Sequence, residues 1–189
     1  MPFENIHELP PDLPAPPADG AADHLPGGVI PSILLPATDG STIDLASLTG
    51  RVVVFAYPRT GRPGDKPFVP DWDLVPGARG CTPQTCSFRD LAAQFSAFGC
   101  RIFGLSTQDT EYQKEMADRL RLPFPVLSDI DLKLTTALGL PTMEVAGTTL
   151  LRRLAWIADN GVIGKVFYPV FPPDRNAADV VAWLASHRA

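Results

Sequence analysis

Residues 51–58 read RVVVFAYP, with no polar side chain between Val52 and Ala56. A strand that faces water on one side alternates apolar with polar; an unbroken β-branched and aromatic run belongs to a central strand covered on both faces, and Pro58 ends it. The segment CRIFGLST at 100–107 has the same character. Between the two strands, TPQTCSFRDLAAQFSAFG at 82–99 carries a helical signature. Thr82 is its expected cap, Pro83 its first helical residue, and Phe88, Leu91, Phe95 and Phe98 form a stripe at three- and four-residue spacing before Gly99 closes it.

The remaining pattern fills out a layered domain. SILLPATDGSTIDLASL at 32–48 reads as an opening hairpin turning at Asp39-Gly40 and ending in a helical turn. Further expectations are a helix over 110–120, a short strand at 125–127, a helical segment at 132–138 and an amphipathic helix at 177–187 with Val180, Val181 and Leu184 inward. TLLRRLAWIADNGVIGKVFYPV at 149–170 reads as two strands joined at Asn160-Gly161, a strong two-residue hairpin signal. The order implies an α/β fold, a mixed β-sheet flanked by helices on both faces, with an N-terminal hairpin extension.

At 189 residues one domain is the default. Eight of the 21 prolines lie within the first 31 residues, so 1–28 is expected to be a Pro-rich acidic arm and 29–189 the domain. Ile6, Leu9 and Leu13 are the residues through which it could dock on the body, a mobile tail being the equal alternative. The first 50 residues hold seven acids and no Lys or Arg, leaving 14 acids against 16 bases in the rest. No concentrated basic stripe points to a nucleic-acid partner. The start has neither a basic nor an apolar signal region, and no later apolar run reaches membrane-spanning length, so the expectation is a cytoplasmic protein without a membrane partner.

Three cysteines do not make a secreted disulfide framework. Cys81 stands where the Pro- and Gly-rich segment 59–80 enters a helix. Unpaired backbone N–H groups and the positive end of the helix dipole favour an anion there, and the thiolate is the nucleophilic form of cysteine. A thiolate attacking the O–O bond of a peroxide becomes a sulfenic acid, which condenses with a second thiol; Cys86 is the obvious one. Residues five apart in an intact helix differ by roughly 140° and about 7.5 Å in height, whereas a disulfide needs Cα atoms within about 7 Å. Bond formation therefore requires the first helical turn to unwind. Taken alone, a C-x4-C pair is equally compatible with two buried core cysteines.

The run GCTPQTCSFRD at 80–90 resembles the active-site segment of the Q type of peroxiredoxin, also called the bacterioferritin comigratory protein type. The resemblance continues through VVVFAYP, GLSTQD, LPFPVLSD, GLPT and RLAWIADNG, over roughly residues 30–187. It implies a thioredoxin-like fold and an atypical 2-Cys peroxidase that reduces hydrogen peroxide and alkyl hydroperoxides. By that resemblance Cys81 is peroxidatic and Cys86 resolving, no cofactor or metal is used, a thioredoxin- or glutaredoxin-type donor recycles the enzyme, and the molecule is a monomer. The family's strand-ending proline resembles Pro58, and its peroxide-fixing arginine resembles Arg153, with Arg152 the competitor and strand alternation favouring Arg153. The family threonine three residues before the peroxidatic cysteine is replaced by Ala78. Thr60 is the candidate to supply the missing hydroxyl if 61–77 bulges outward; a water or backbone group is the alternative.

Cys100 reads as a core or strand-end cysteine, with a second resolving thiol as the alternative. None of His7, His24 and His187 is placed by sequence to pair with Cys81, which speaks against a Cys-His hydrolase and a zinc site. A protein thiol–disulfide oxidoreductase is disfavoured because such enzymes use C-x-x-C. A copper-carrying thioredoxin-like module would need a further soft ligand, for which Met116 and Met143 are the candidates.

Overall fold

A computed structural model describes residues 7–187. Its centre is a five-stranded sheet in the order β5-β4-β3-β8-β9, built from β3 (Arg51–Ala56), β4 (Cys100–Ser106), β5 (Val126–Ser128), β8 (Leu154–Asp159) and β9 (Val162–Phe167). β3 runs parallel to β4 and antiparallel to β8, so the run RVVVFAYP is the middle strand of a mixed sheet. Two further hairpins flank it: β1 (Leu34–Pro36) with β2 (Thr42–Asp44), and β6 (Thr142–Val145) with β7 (Thr148–Leu151). Five helices complete the fold: α1 (Cys81–Asp90), α2 (Ala92–Ala97), α3 (Thr110–Leu120), α4 (Lys133–Leu138) and α5 (Asn176–Ser186).

Alternation along β3 divides the core in two. Val53, Phe55 and Tyr57 point to one face, where Phe88, Phe95, Met116, Val180 and Leu184 cover them from α1, α2, α3 and α5. Val52, Val54 and Ala56 point to the other, covered by Leu134 of α4, Leu35, Leu151 and the chain before β1. Both faces of β3 are dry, which is why its sequence shows no polar alternation. Phe55 stacks on Phe88 at 4.2 Å between ring centroids and meets Phe124 edge-on at 5.7 Å. Gly104 on β4 makes room for it, since a Cβ there would lie 3.2 Å from the Phe55 ring.

Four local expectations are corrected. The helix begins at Cys81 with Gly80 as its cap, so Thr82 is not the cap and Pro83 is the third helical residue. The apolar stripe of 82–99 continues across a break at Leu91, which splits the segment into α1 and α2. Residues 149–151 leave the predicted long strand and, with Thr148, pair instead with β6 through a turn at Ala146-Gly147. The third short strand is Val126–Ser128, one residue later than read.

Of the leader, Leu9 reaches Gly80, while Ala22 and Leu25 are buried in the core. Gly27 N–H donates to the Ile163 carbonyl at 2.7 Å and His24 Nε2 bonds the Leu138 carbonyl at 2.9 Å. Leu13 is half-buried, and Ile6 lies outside the described residues. Among the described residues no helix is long and apolar enough to cross a membrane.

Candidate active site

Segment 59–80 crosses the end of β3 and turns into α1 at Gly80. Its φ of 103° is open to glycine, and a Cβ there would lie 2.6 Å from Pro173 and 2.9 Å from Leu9. The tight turn sets Cys81 as the first residue of α1, where the backbone N–H groups of the opening turn have no helical acceptor. Cys81 is buried, and its Sγ lies 3.5 Å from the Ala78 carbonyl and 3.3 Å from Arg153 Nη2. The Thr85 hydroxyl donates back to the Cys81 carbonyl at 2.8 Å, tying the first turn together.

Arg153 follows β7 and precedes β8, and it is 3% exposed. Its Nη2 lies 3.1–3.2 Å from the carbonyl oxygens of Gly77, Ala78 and Arg79 and 3.3 Å from Cys81 Sγ, so its two hydrogens are shared among these four acceptors. Its Nη1 makes a short bond to Gln84 Oε1. No ion pair joins Arg153 to a carboxylate among the described residues. A buried cation held only by carbonyl and amide dipoles stabilises a negative charge beside it strongly, because water is absent to screen the pair. Arg152 turns the other way, 3.4 Å from Asp19 and bonded through Nε to the Thr142 carbonyl at 2.9 Å.

The other candidate residues occupy neighbouring positions. Pro58 is buried two residues beyond the end of β3. Thr60 is also buried, and its N–H and hydroxyl both donate to Gln108 Oε1, at 3.0 and 3.2 Å. Gln108 Nε2 returns a bond to the Thr60 carbonyl at 3.0 Å, and no hydrogen bond joins Thr60 to Cys81 among the described residues. Cys86 is half-buried in α1, with His7 Nδ1 4.0 Å from its sulfur. Burial pushes the Cys86 thiol pKa up, while Arg89 partly opposes the shift. Cys100, at the start of β4, is buried more completely, and desolvation raises its pKa to about 11. All three cysteines are free thiols.

The redoxin family model matches residues 25–182. Peroxiredoxin Q of Gentiana triflora, a chloroplastic protein, is 30% identical over 183 residues that cover 94% of this chain and 76% of the plant protein. The chain belongs to the Q-type peroxiredoxins. Peroxiredoxins are a family of thiol peroxidases. Peroxiredoxin Q of Oryza sativa subsp. japonica is 30% identical over 161 residues, and this peroxiredoxin spans 66% of that relative's length. Its fold superposes on the peroxidoxin BcpB of Mycobacterium tuberculosis with a TM-score of 0.68 at 26% identity, covering 87% of this chain and 98% of that one. The thioredoxin-like α/β architecture implied by GCTPQTCSFRD is thus the one observed.

Two residues of this peroxiredoxin site were not singled out from sequence. Gln84 and Asn176 are fully buried polar side chains joined at 2.9 Å, and Gln84 also holds Arg153. For Gln84 a signal existed: three residues after Cys81 on a helix, it shares the face of the reactive sulfur. Asn176 is 92 residues away and had none.

Proposed function

We propose that the protein is an atypical 2-Cys peroxidase in which Cys81 reduces hydrogen peroxide and alkyl hydroperoxides and Cys86 resolves the product. The Cys81 thiolate attacks one peroxide oxygen; an S–O bond forms, the O–O bond breaks, and the leaving oxygen takes up a proton to depart as water or an alcohol. The Cys86 thiol then attacks the sulfenic sulfur, forming the S–S bond as hydroxide leaves and takes the thiol proton as water. A thioredoxin- or glutaredoxin-type dithiol returns both cysteines to thiols and becomes a disulfide itself.

The observation that carries this reading is the buried Arg153 guanidinium against Cys81 Sγ with no carboxylate to neutralise it. It is the fixed cation that both the thiolate and the charge developing on the leaving oxygen need. Thr60 takes the part of the absent threonine: its hydroxyl hydrogen is committed to Gln108, which leaves its lone pairs to accept from a peroxide O–H. Pro58 shapes the turn that places it. Both cysteines lie in α1, so resolution proceeds through opening of the first turn. Residues 29–189 form the peroxidase domain with 1–28 as its arm, and the protein acts as a monomer in the cytoplasm.

Peroxide consumption coupled to a thioredoxin system tests the assignment. The Cys81→Ser variant should show no turnover above background; turnover surviving that substitution, or insulin reduction without peroxide turnover by the parent, would transfer the protein to the thiol–disulfide oxidoreductases.

A further inference from the structure

We infer that Asn176 is a positioning residue for the peroxide step, acting on Arg153 through Gln84; the inference rests on the peroxidase reading above. An arginine has only donors, so Gln84 must turn its carbonyl oxygen to Arg153 Nη1. Its amide nitrogen then faces away and needs an acceptor inside the protein, because Gln84 is 0% exposed. Asn176 Oδ1 is that acceptor, at 2.9 Å, and Asn176 is itself 1% exposed. The orientation of the Gln84 amide is fixed from both ends; rotated by half a turn, its NH2 would oppose the guanidinium donor to donor. Removing the acceptor at 176 frees Gln84 to leave Arg153, whose Nη1 has no other partner among the described residues.

The location of Asn176 gives the contact a second consequence. It opens α5, just after the 3-10 turn Pro173–Arg175 that packs on α1, so it stands outside the segment that must open for the disulfide to form. Gln84 lies between Cys81 and Cys86, inside it. Opening the first turn of α1 carries Gln84 away from a stationary Asn176, and the bond between them exists only while α1 is closed. The Asn176–Gln84 pair therefore favours the state that reacts with peroxide and holds back the state that resolves.

The test measures both steps by stopped flow in Asn176→Ser, Asn176→Asp, Gln84→Ala and the Gln84→Ala/Asn176→Ser double variant. Serine is compatible with a helix start but too short to reach Gln84, whereas aspartate keeps the acceptor oxygen. Asn176→Ser should slow the reaction of Cys81 with hydrogen peroxide about tenfold, the worth of one buried hydrogen bond, and should speed disulfide closure. Asn176→Asp keeps the acceptor but adds a buried negative charge close to Arg153, so its first rate should fall between those of Asn176→Ser and the parent. The double variant should be no slower than Gln84→Ala alone, since the two substitutions break one pathway. Additive losses in the double variant, or an unchanged peroxide rate in Asn176→Ser, would overturn the inference; if serine prevents folding, Asn176→Ala takes its place in the same cycle. A parent enzyme whose Cys81 does not react with peroxide at all would instead overturn the peroxidase reading.

Discussion

Replacing Arg153 by Gln removes the cation from the Cys81 sulfur and shortens the side chain past reach of the 77–79 carbonyls. At the 3.3 Å separation seen here and an effective dielectric near 20, the direct charge–charge attraction between guanidinium and thiolate amounts to about 5 kcal/mol. Solvent and the α1 backbone N–H groups recover part of it. Loss of one positioned donor in comparable sites costs about 10²–10³ in rate, roughly 3–4 kcal/mol. The second-order rate constant of Arg153→Gln with hydrogen peroxide, measured by competition with a reference peroxidase, is therefore expected to fall about 10²–10³-fold. Arg153→Lys keeps a charge but not the fork that reaches Gln84 and the sulfur together, and belongs between the two. Arg152→Gln serves as the control, because Arg152 is engaged with Asp19 and the Thr142 carbonyl. An Arg153→Gln rate within threefold of the parent, about 0.6 kcal/mol at room temperature, or a collapse in Arg152→Gln instead, would refute the role of Arg153.

Other expectations follow from individual contacts. Cys86→Ser should still form the sulfenic acid at Cys81 but, with no internal thiol to capture it, should proceed to sulfinic acid under excess peroxide; mass spectrometry that finds no added oxygen would contradict this. Phe88→Ala removes the ring stacked at 4.2 Å on Phe55 and is expected to cost about 3–5 kcal/mol by chemical denaturation; a loss below about 1 kcal/mol would mean that α1 is not held by this face. Burial raises the Cys100 pKa from 9.0 to about 11, so the folded state keeps a proton that the unfolded state releases across that interval. Stability should fall as pH rises from about 9 to about 11, and Cys100→Ala should flatten that slope in thermal melts; a parallel slope in both proteins would count against the assignment.

The parts of the fold that were legible are those whose signal is local. RVVVFAYP names a strand covered on both faces, and Asn160-Gly161 and Asp39-Gly40 announce their turns through residues that tolerate left-handed backbone; Asn160 indeed has φ 50° and Gly161 79°. The β6–β7 hairpin escaped because an alanine, Ala146 at φ 49°, occupies the position where Asn or Asp would have given the turn away. The break at Leu91 was hidden by an apolar stripe that the two short helices share. Burial of Ala22 and Leu25 is a tertiary matter: a Pro-rich leader acquires order from its bonds to β9, and nothing in its own composition says so.

The candidate site divides in the same way. The placement of Cys81 and Cys86 on a helix entered from a glycine turn follows from neighbouring residues. The meeting of Arg153, Gln84 and Asn176 depends on sheet register and on the docking of α5, which spacing along the chain does not encode.

The most direct test of the account is peptide mapping with intact mass after one equivalent of hydrogen peroxide. The expected product is lighter by two hydrogens, with Cys81 joined to Cys86 and Cys100 still a thiol. A product in which both Cys81 and Cys86 remain thiols, or in which the link runs to Cys100, would contradict it.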